Sequence, residues 1–446
     1  MKKTLVAIAA LAATGAFAQT LDGKPGVQIT GLFNAGYSQL SYKGVNINGI
    51  EQNGAGTTRF HLRGLEDLGG GQQAYFNVET DLSVLRNDAN QGVITKAGNA
   101  QIAATASATN YTAAQTQKGV GSTFGNGELA VGTRGSFGDV AFGALNNGGL
   151  TNFVAVASPV QGTSYGGGYG SIIGADPTLG VVRWNNSFKY ATPTMSGFTA
   201  QYIYSAKQTS QANTFNYSGV AATTVNTGLG QNDQIGAKEL SLRYEQGPLT
   251  VGYVNTQTDL TGASFCATAT STASPILTAG KNQPCYLAAG SSLGSAYNKG
   301  NTIGNGYKAT QNGLAAKYVL NSNFTVSGGL QQTKLKEIVA GDGDQVDRSA
   351  QIATLTYVNG IHTLFGTYGT VKENALNNQF NGKKSTMTAI GYNYALSKTS
   401  YLYGRYETLT DDAGTIAATY GDSVNLVGTD SSNKRTRSQF GLAMNF

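Results

Sequence analysis

Two histidines, two cysteines and one glycine-rich run are the residues of this chain whose types suit bond chemistry, and their spacing argues against it. A hydrolytic triad needs Ser, His and an acid held together. His61 instead stands in Arg59-Phe60-His61-Leu62-Arg63, where every second residue is polar, and His362 lies far away. The run Tyr165-Gly166-Gly167-Gly168-Tyr169-Gly170 leads into neither a lysine nor a helical pattern, both of which a phosphate cradle requires. Cys266 and Cys285 have no histidine nearby to complete a metal site. The expectation is a protein that is not an enzyme and holds no cofactor and no metal.

What the chain does carry is charge at a period of two. Side chains alternate between the faces of a strand. With Phe60 and Leu62 on one face, Arg59, His61 and Arg63 share the other. By the same parity Trp184, Phe188 and Tyr190 are apolar-face residues, and Arg183 and Lys189 point the opposite way. Arg134, Arg243, Lys317, Arg405, Arg435 and Arg437 fall on polar faces, together with Glu79, Asp81, Glu128, Glu239, Glu245 and Glu407. The chemistry on offer is electrostatic: such groups set the field that a passing ion meets. They also fit a solvated wall with no selective role, and opposite charges on neighbouring strands largely cancel.

Strands with one greasy face must hold these groups in place. Arg435-Thr436-Arg437-Ser438-Gln439-Phe440-Gly441-Leu442-Ala443-Met444-Asn445-Phe446 alternates cleanly and ends on an aromatic. A strand of about 9–11 residues crosses a bilayer only when both its edges are paired, which demands a closed barrel. Sixteen alternating segments of this kind recur, from 27–38 and 57–66 to 399–409 and 435–446. The connectors alternate too. Gly135-Ser136-Phe137-Gly138, Gln246-Gly247-Pro248 and Asn359-Gly360 are short and turn-forming. Stretches such as 39–56, 83–126, 146–182 and 259–311 are long. Short turns on one rim and long loops on the other are the pattern of outer-membrane barrels.

Composition agrees. Charged residues make up 12%, against about 25% in ordinary soluble domains, and Gly and Tyr are abundant. No apolar run beyond residue 18 reaches the length of a spanning helix. Met1-Lys2-Lys3, an apolar stretch and Ala16-Phe17-Ala18 read as a signal peptide over 1–18, leaving 19–446 as one domain. The net charge of +6 is diffuse, without a basic cluster for nucleic acid. Cys266 and Cys285, an even pair in an exported chain, read as one disulfide stapling a loop. Trp184 and Phe446 fall near segment ends, where rings sit at a membrane interface.

Residues 57–80 read Thr-Thr-Arg59-Phe-His61-Leu-Arg63-Gly-Leu-Glu66-Asp67-Leu-Gly-Gly-Gly-Gln-Gln-Ala-Tyr-Phe-Asn-Val-Glu79-Thr. This block resembles the general porins of Gram-negative β-proteobacteria. Arg134-Gly135-Ser136-Phe137-Gly138-Asp139, Gly391-Tyr392-Asn393-Tyr394-Ala395-Leu396-Ser397-Lys398 and the terminal strand match as well. The resemblance implies an all-β, 16-stranded antiparallel transmembrane β-barrel whose third external loop folds into the lumen. It implies a homotrimer in the cell outer membrane, with lipopolysaccharide around it, that passes small hydrophilic solutes.

Arg59 and Arg183 match arginines that form a basic ladder at the constriction of related anion-selective porins. Arg183-Trp184-Asn185-Asn186 is similar to the family's R-x-N-N after the third loop. That loop, 146–182, holds one acidic residue, Asp176, and no Lys or Arg. Arg59, Arg63, Arg183, Arg134, Arg243, Arg405, Asp176 and Glu79 are therefore the expected pore-lining set, with an anion preference. Two positions depart from the family: Gly127-Glu128 and Gly143-Ala144 stand where arginines are common. Alternatives are a channel dedicated to phosphate, a dicarboxylate or a sugar, and a surface adhesin barrel. If the 266–285 staple only decorates the rim, deleting those residues leaves single-channel conductance unchanged in planar bilayers.

Overall fold

The computed structural model describes residues 25–42, 45–82, 125, 127–158, 172–173, 183–206, 236–259, 308–336, 344–376, 380–414 and 433–446. The alternating segments become strands: β1 (Gly26–Tyr42), β2 (Val45–Gln52), β3 (Arg59–Gly69), β4 (Gln72–Asp81), β5 (Leu129–Gly135) and β6 (Gly138–Asn146). There follow β7 (Arg183–Ala191), β8 (Phe198–Ser205), β9 (Gly236–Gln246), β10 (Leu249–Asp259), β11 (Lys308–Val319) and β12 (Phe324–Lys336). The last five are β13 (Asp344–Asn359), β14 (His362–Glu373), β15 (Lys384–Ala395), β16 (Ser400–Asp411) and β17 (Lys434–Asn445).

All pair antiparallel in one sheet, and β1 joins β17 to close it, with Gly36 opposite Gly441. The other edge of β1 is shared: β3 covers its first half and β2 its second. β2 and β3 thus occupy one place in the wall, and the cylinder has sixteen. The final residue seals the seam, since Gly31 N–H donates to Phe446 O (2.9 Å) and Phe446 N–H to Gly31 O (3.1 Å). Phe446 also packs edge-on against Phe33.

The two faces differ as the alternation requires. Val27, Ile29, Val131, Phe142, Leu330 and Phe440 stand exposed on the outside. Glu79, Arg348, Thr354, Glu407 and Gln439 are buried on the inside. Ring pairs Phe198–Tyr244 and Phe324–Tyr357, with His362 against Tyr392, gather by the short turns. Such placement is that of an interfacial girdle.

Two segments leave the wall. The stretch 39–56, expected as an external connector, is mostly a hairpin, because β1 runs on to Tyr42 and β2 pairs back along it. Residues 53–58 then turn to the inner side and are buried. Asn53 begins that turn at φ 71°, a left-handed conformation that Asn tolerates. Asn34 on β1 holds the segment: its Nδ2 donates to Gly56 O (2.8 Å) and Thr58 Oγ1 (3.1 Å), and its Oδ1 accepts from Ala55 N (3.2 Å). Gly54 lies so close to the wall that a β-carbon there would overlap Gln439 Oε1.

The second departure follows β6. Residues 149–157, here α1, form a short helical stretch, first π and then α in its hydrogen bonding. Leu150, Phe153, Val154, Val156 and Ala157 pack with Val254, Ala315 and Ile352 on the buried face of β10, β11 and β13. Glycines make room for it. A β-carbon on Gly252 would overlap the Asn152 carbonyl, and one on Gly313 would crowd Phe153. Further along, Ile172 and Ile173 join the same apolar cluster. Asp176, Cys266, Cys285 and residues 1–18, expected to be a signal peptide, lie outside the described residues.

Replacing Asn34 by Ala strips three buried hydrogen bonds from the 53–58 turn. An unsatisfied buried group costs about 1–3 kcal/mol, so the urea midpoint of the Asn34→Ala barrel in detergent is expected to fall. A midpoint equal to wild type would show that the turn is held by other means.

Candidate functional site

The inner wall near the β6–β7 connector gathers the charges that the alternation set on one face. Glu79 of β4 is the hub. Arg59 of β3 approaches it at 3.6 Å and Arg183 of β7 at 3.1 Å. The Glu79 side chain is 3% exposed, while those of Arg59 and Arg183 keep 14% and 20%. Asp81, one step along β4, is buried as well. The carboxylates are therefore covered, and the two arginine side chains are the more exposed partners of the cluster. Two unit charges about 8 Å apart at an effective dielectric near 40 interact by roughly 1 kcal/mol, so the groups nearest the water dominate what a solute meets.

Neutral groups fix the neighbours. Asn77 Oδ1 accepts from Arg63 Nε (3.2 Å) and lies 3.4 Å from His61 Nδ1. Asn77 Nδ2 donates to Glu128 Oε2 (2.9 Å). Glu128 in turn accepts from the Asn146 N–H at the end of β6 (3.0 Å). Glu128 thus works as a hydrogen-bonded anchor.

The other expected residues sit apart from this hub. Arg134 donates to Gln73 (2.8 Å) beside Tyr75, and Arg243 pairs with Glu245 of its own strand (2.9 Å). Arg405 donates to Tyr392 O (2.9 Å) and Asn393 Oδ1 (2.7 Å) and stacks over Phe365 and Tyr403. Arg435 and Arg437 both grip the fully buried Glu407, at 2.6 and 2.8 Å. Arg348 likewise grips the buried Glu373 at 3.0 Å.

One expectation fails. Trp184 does not face the membrane: it is 2% exposed, and its indole N–H points to Glu239 of β9 at 3.4 Å. The reason is a bulge. Gly143 pairs with Ser187, but Leu145 pairs with Trp184, so Asn185 and Asn186 together oppose Ala144. Asn186 adopts φ 49°. An extra residue inverts parity beyond it, and Trp184 turns inward beside the buried Leu145. Arg183, the first residue of β7, departs from the strand alternation and also reaches Glu79. Glu239, merely one wall acid in the sequence, is revealed as the acceptor of several donors. The tandem Asn185-Asn186 was the available signal, because Asn tolerates positive φ.

Three comparisons bear on this arrangement. A sequence profile of the Gram-negative porins matches residues 4–414. Outer membrane porin protein 32 of Delftia acidovorans is 28% identical over 439 residues, covering 93% of this chain and 92% of that protein. An outer membrane porin protein of Bordetella pertussis is 30% identical over 275 residues, 56% of this chain and 58% of its own length. The solved structure of an anion-selective porin from Comamonas acidovorans superposes with a TM-score of 0.58 at 19% identity, over 95% of this chain and 100% of that one. At that identity it speaks to the fold alone.

Glu407→Gln would leave Arg435 and Arg437 buried without their counter-ion. Breaking a buried pair in this way costs about 3–5 kcal/mol. The unfolding free energy of the variant in micelles is expected to drop by that order, and Glu66→Gln, exposed in the outer part of β3, to leave it unchanged.

Proposed function

Because the chain belongs to the Gram-negative porin family, we propose that its general diffusion channel through the outer membrane favours small anionic solutes. One observation carries the reading: the side chains of Arg59 and Arg183 stay 14% and 20% exposed while that of Glu79, the acid they share, is 3% exposed. At Glu373 and Glu407, by contrast, acid and arginine are buried together. The packing of α1 on the buried face of β10, β11 and β13 supports a third external loop that lies within the barrel and narrows it beside Arg59 and Arg183. Assembly as a homotrimer amid lipopolysaccharide, export by a cleaved 1–18 leader and a Cys266–Cys285 disulfide complete the proposal.

The test is the zero-current potential of reconstituted channels in a KCl gradient, expected with chloride sign. Arg59→Glu and Arg183→Glu each shift it toward potassium, and Glu79→Gln shifts it further toward chloride. Each change is about two- to fivefold in permeability ratio, given roughly 1 kcal/mol per charge and partial screening by salt. A potassium-sign potential in the wild type, or no shift in either arginine variant, would overturn the reading.

A further inference from the structure

We infer that Glu239 is a positioning residue that clasps both ends of the β6–β7 connector against the wall and so sets where α1 stands in the bore. The residue lies on β9, yet its carboxylate reaches past its own strand pairing. Its Oε1 accepts the Gly148 N–H, at the upstream end of the connector. Its Oε2 receives the Trp184 indole N–H at 3.4 Å, at the downstream end, and the Thr256 hydroxyl at 2.8 Å, from β10. These partners are neutral donors, and Glu239 is 1% exposed. A buried carboxylate aimed at neutral donors makes charge-assisted bonds, roughly twice as strong as neutral ones.

The surroundings fit a clasp. A β-carbon on Gly148 would stand 2.6 Å from Ser241 Oγ and 2.8 Å from Glu239 Oε1, so the backbone approaches this closely only as glycine. Asn152 Nδ2 donates to Ser241 Oγ (2.7 Å), which docks the first turn of α1 on the same strand. Asn147 Oδ1 accepts from Leu150 N (2.8 Å) and starts that turn. The bulge at Asn185-Asn186 gains a purpose here, since it is what turns Trp184 toward Glu239. The wall thereby fixes α1 over Gly252 and Gly313.

Trp184 is the sole tryptophan, so the clasp carries its own reporter. In folded, detergent-solubilised protein, Glu239→Gln keeps one acceptor oxygen but turns an amide N–H₂ toward a donor. The time that Trp184 spends open to acrylamide is expected to rise about fivefold, the effect of losing roughly 1 kcal/mol of hydrogen bonding. Single-channel current should split into several levels, while the heat-modifiable band on gels still reports a closed barrel. Unchanged quenching together with an unchanged current distribution would overturn the inference. Should Glu239→Gln not fold, Trp184→Phe decides, because it removes only the indole donor: extra current levels support the clasp, and a wild-type distribution refutes it. The inference rests on the channel reading, but quenching is indifferent to ion sign. A potassium-selective channel with a released Trp184 in Glu239→Gln would refute the proposed selectivity and leave the clasp standing.

Discussion

A sheet in hydrocarbon cannot leave an edge unpaired, because each orphaned N–H or C=O costs several kcal/mol there. The pairing of β1 with β17 answers that demand in this chain, and much else follows from it. Once the sheet is shut, every strand has an inside and an outside, and a period of two assigns each residue to one of them. Apolar residues go out except where α1 or a buried cation covers them, as at Val254 and Phe365, and charge goes in. The carboxyl-terminal strand ends on Phe446, whose backbone closes the last rung against Gly31.

Closure creates a second problem. Charges on the inner wall are partly withdrawn from water, and a withdrawn charge needs a partner. The chain meets this by pairing: Glu373 with Arg348, and Glu407 with Arg435 and Arg437, are buried together, whereas at Glu79 the arginines stay the more exposed partners. At Glu79 the carboxylate orders the arginines and leaves the more exposed position to them. Formal charge counts at the hub nearly balance, but position does not, and an ion in the bore responds to position. Glu128 and Glu239 show the other use of a buried acid, as an acceptor for backbone and side-chain donors that would otherwise be stranded.

The barrel was legible because its code is strictly local. Alternation in 435–446 and turn chemistry at Asn359-Gly360 each state their structure within a few residues. The arginines were legible for the same reason, since parity alone turned Arg59 and Arg63 inward. Trp184 was not, because one extra residue at Asn185-Asn186 inverts the rule, and a bulge depends on the neighbouring strand as much as on its own sequence. The inward turn at 53–58 was hidden likewise: it hangs on Asn34, a residue distant in sequence whose side chain looks in isolation like any polar wall group. Burial also set Glu79 deeper than Arg59 and Arg183, which no count of charges reveals.

The central claim is spatial: guanidiniums, with carboxylates behind them, form the surface that solutes meet. Anomalous diffraction from crystals of the folded protein soaked separately in bromide and in rubidium tests it most directly. The account predicts bromide beside Arg59 and Arg183. Rubidium at Glu79 or Asp81, with no bromide at the arginines, would contradict it.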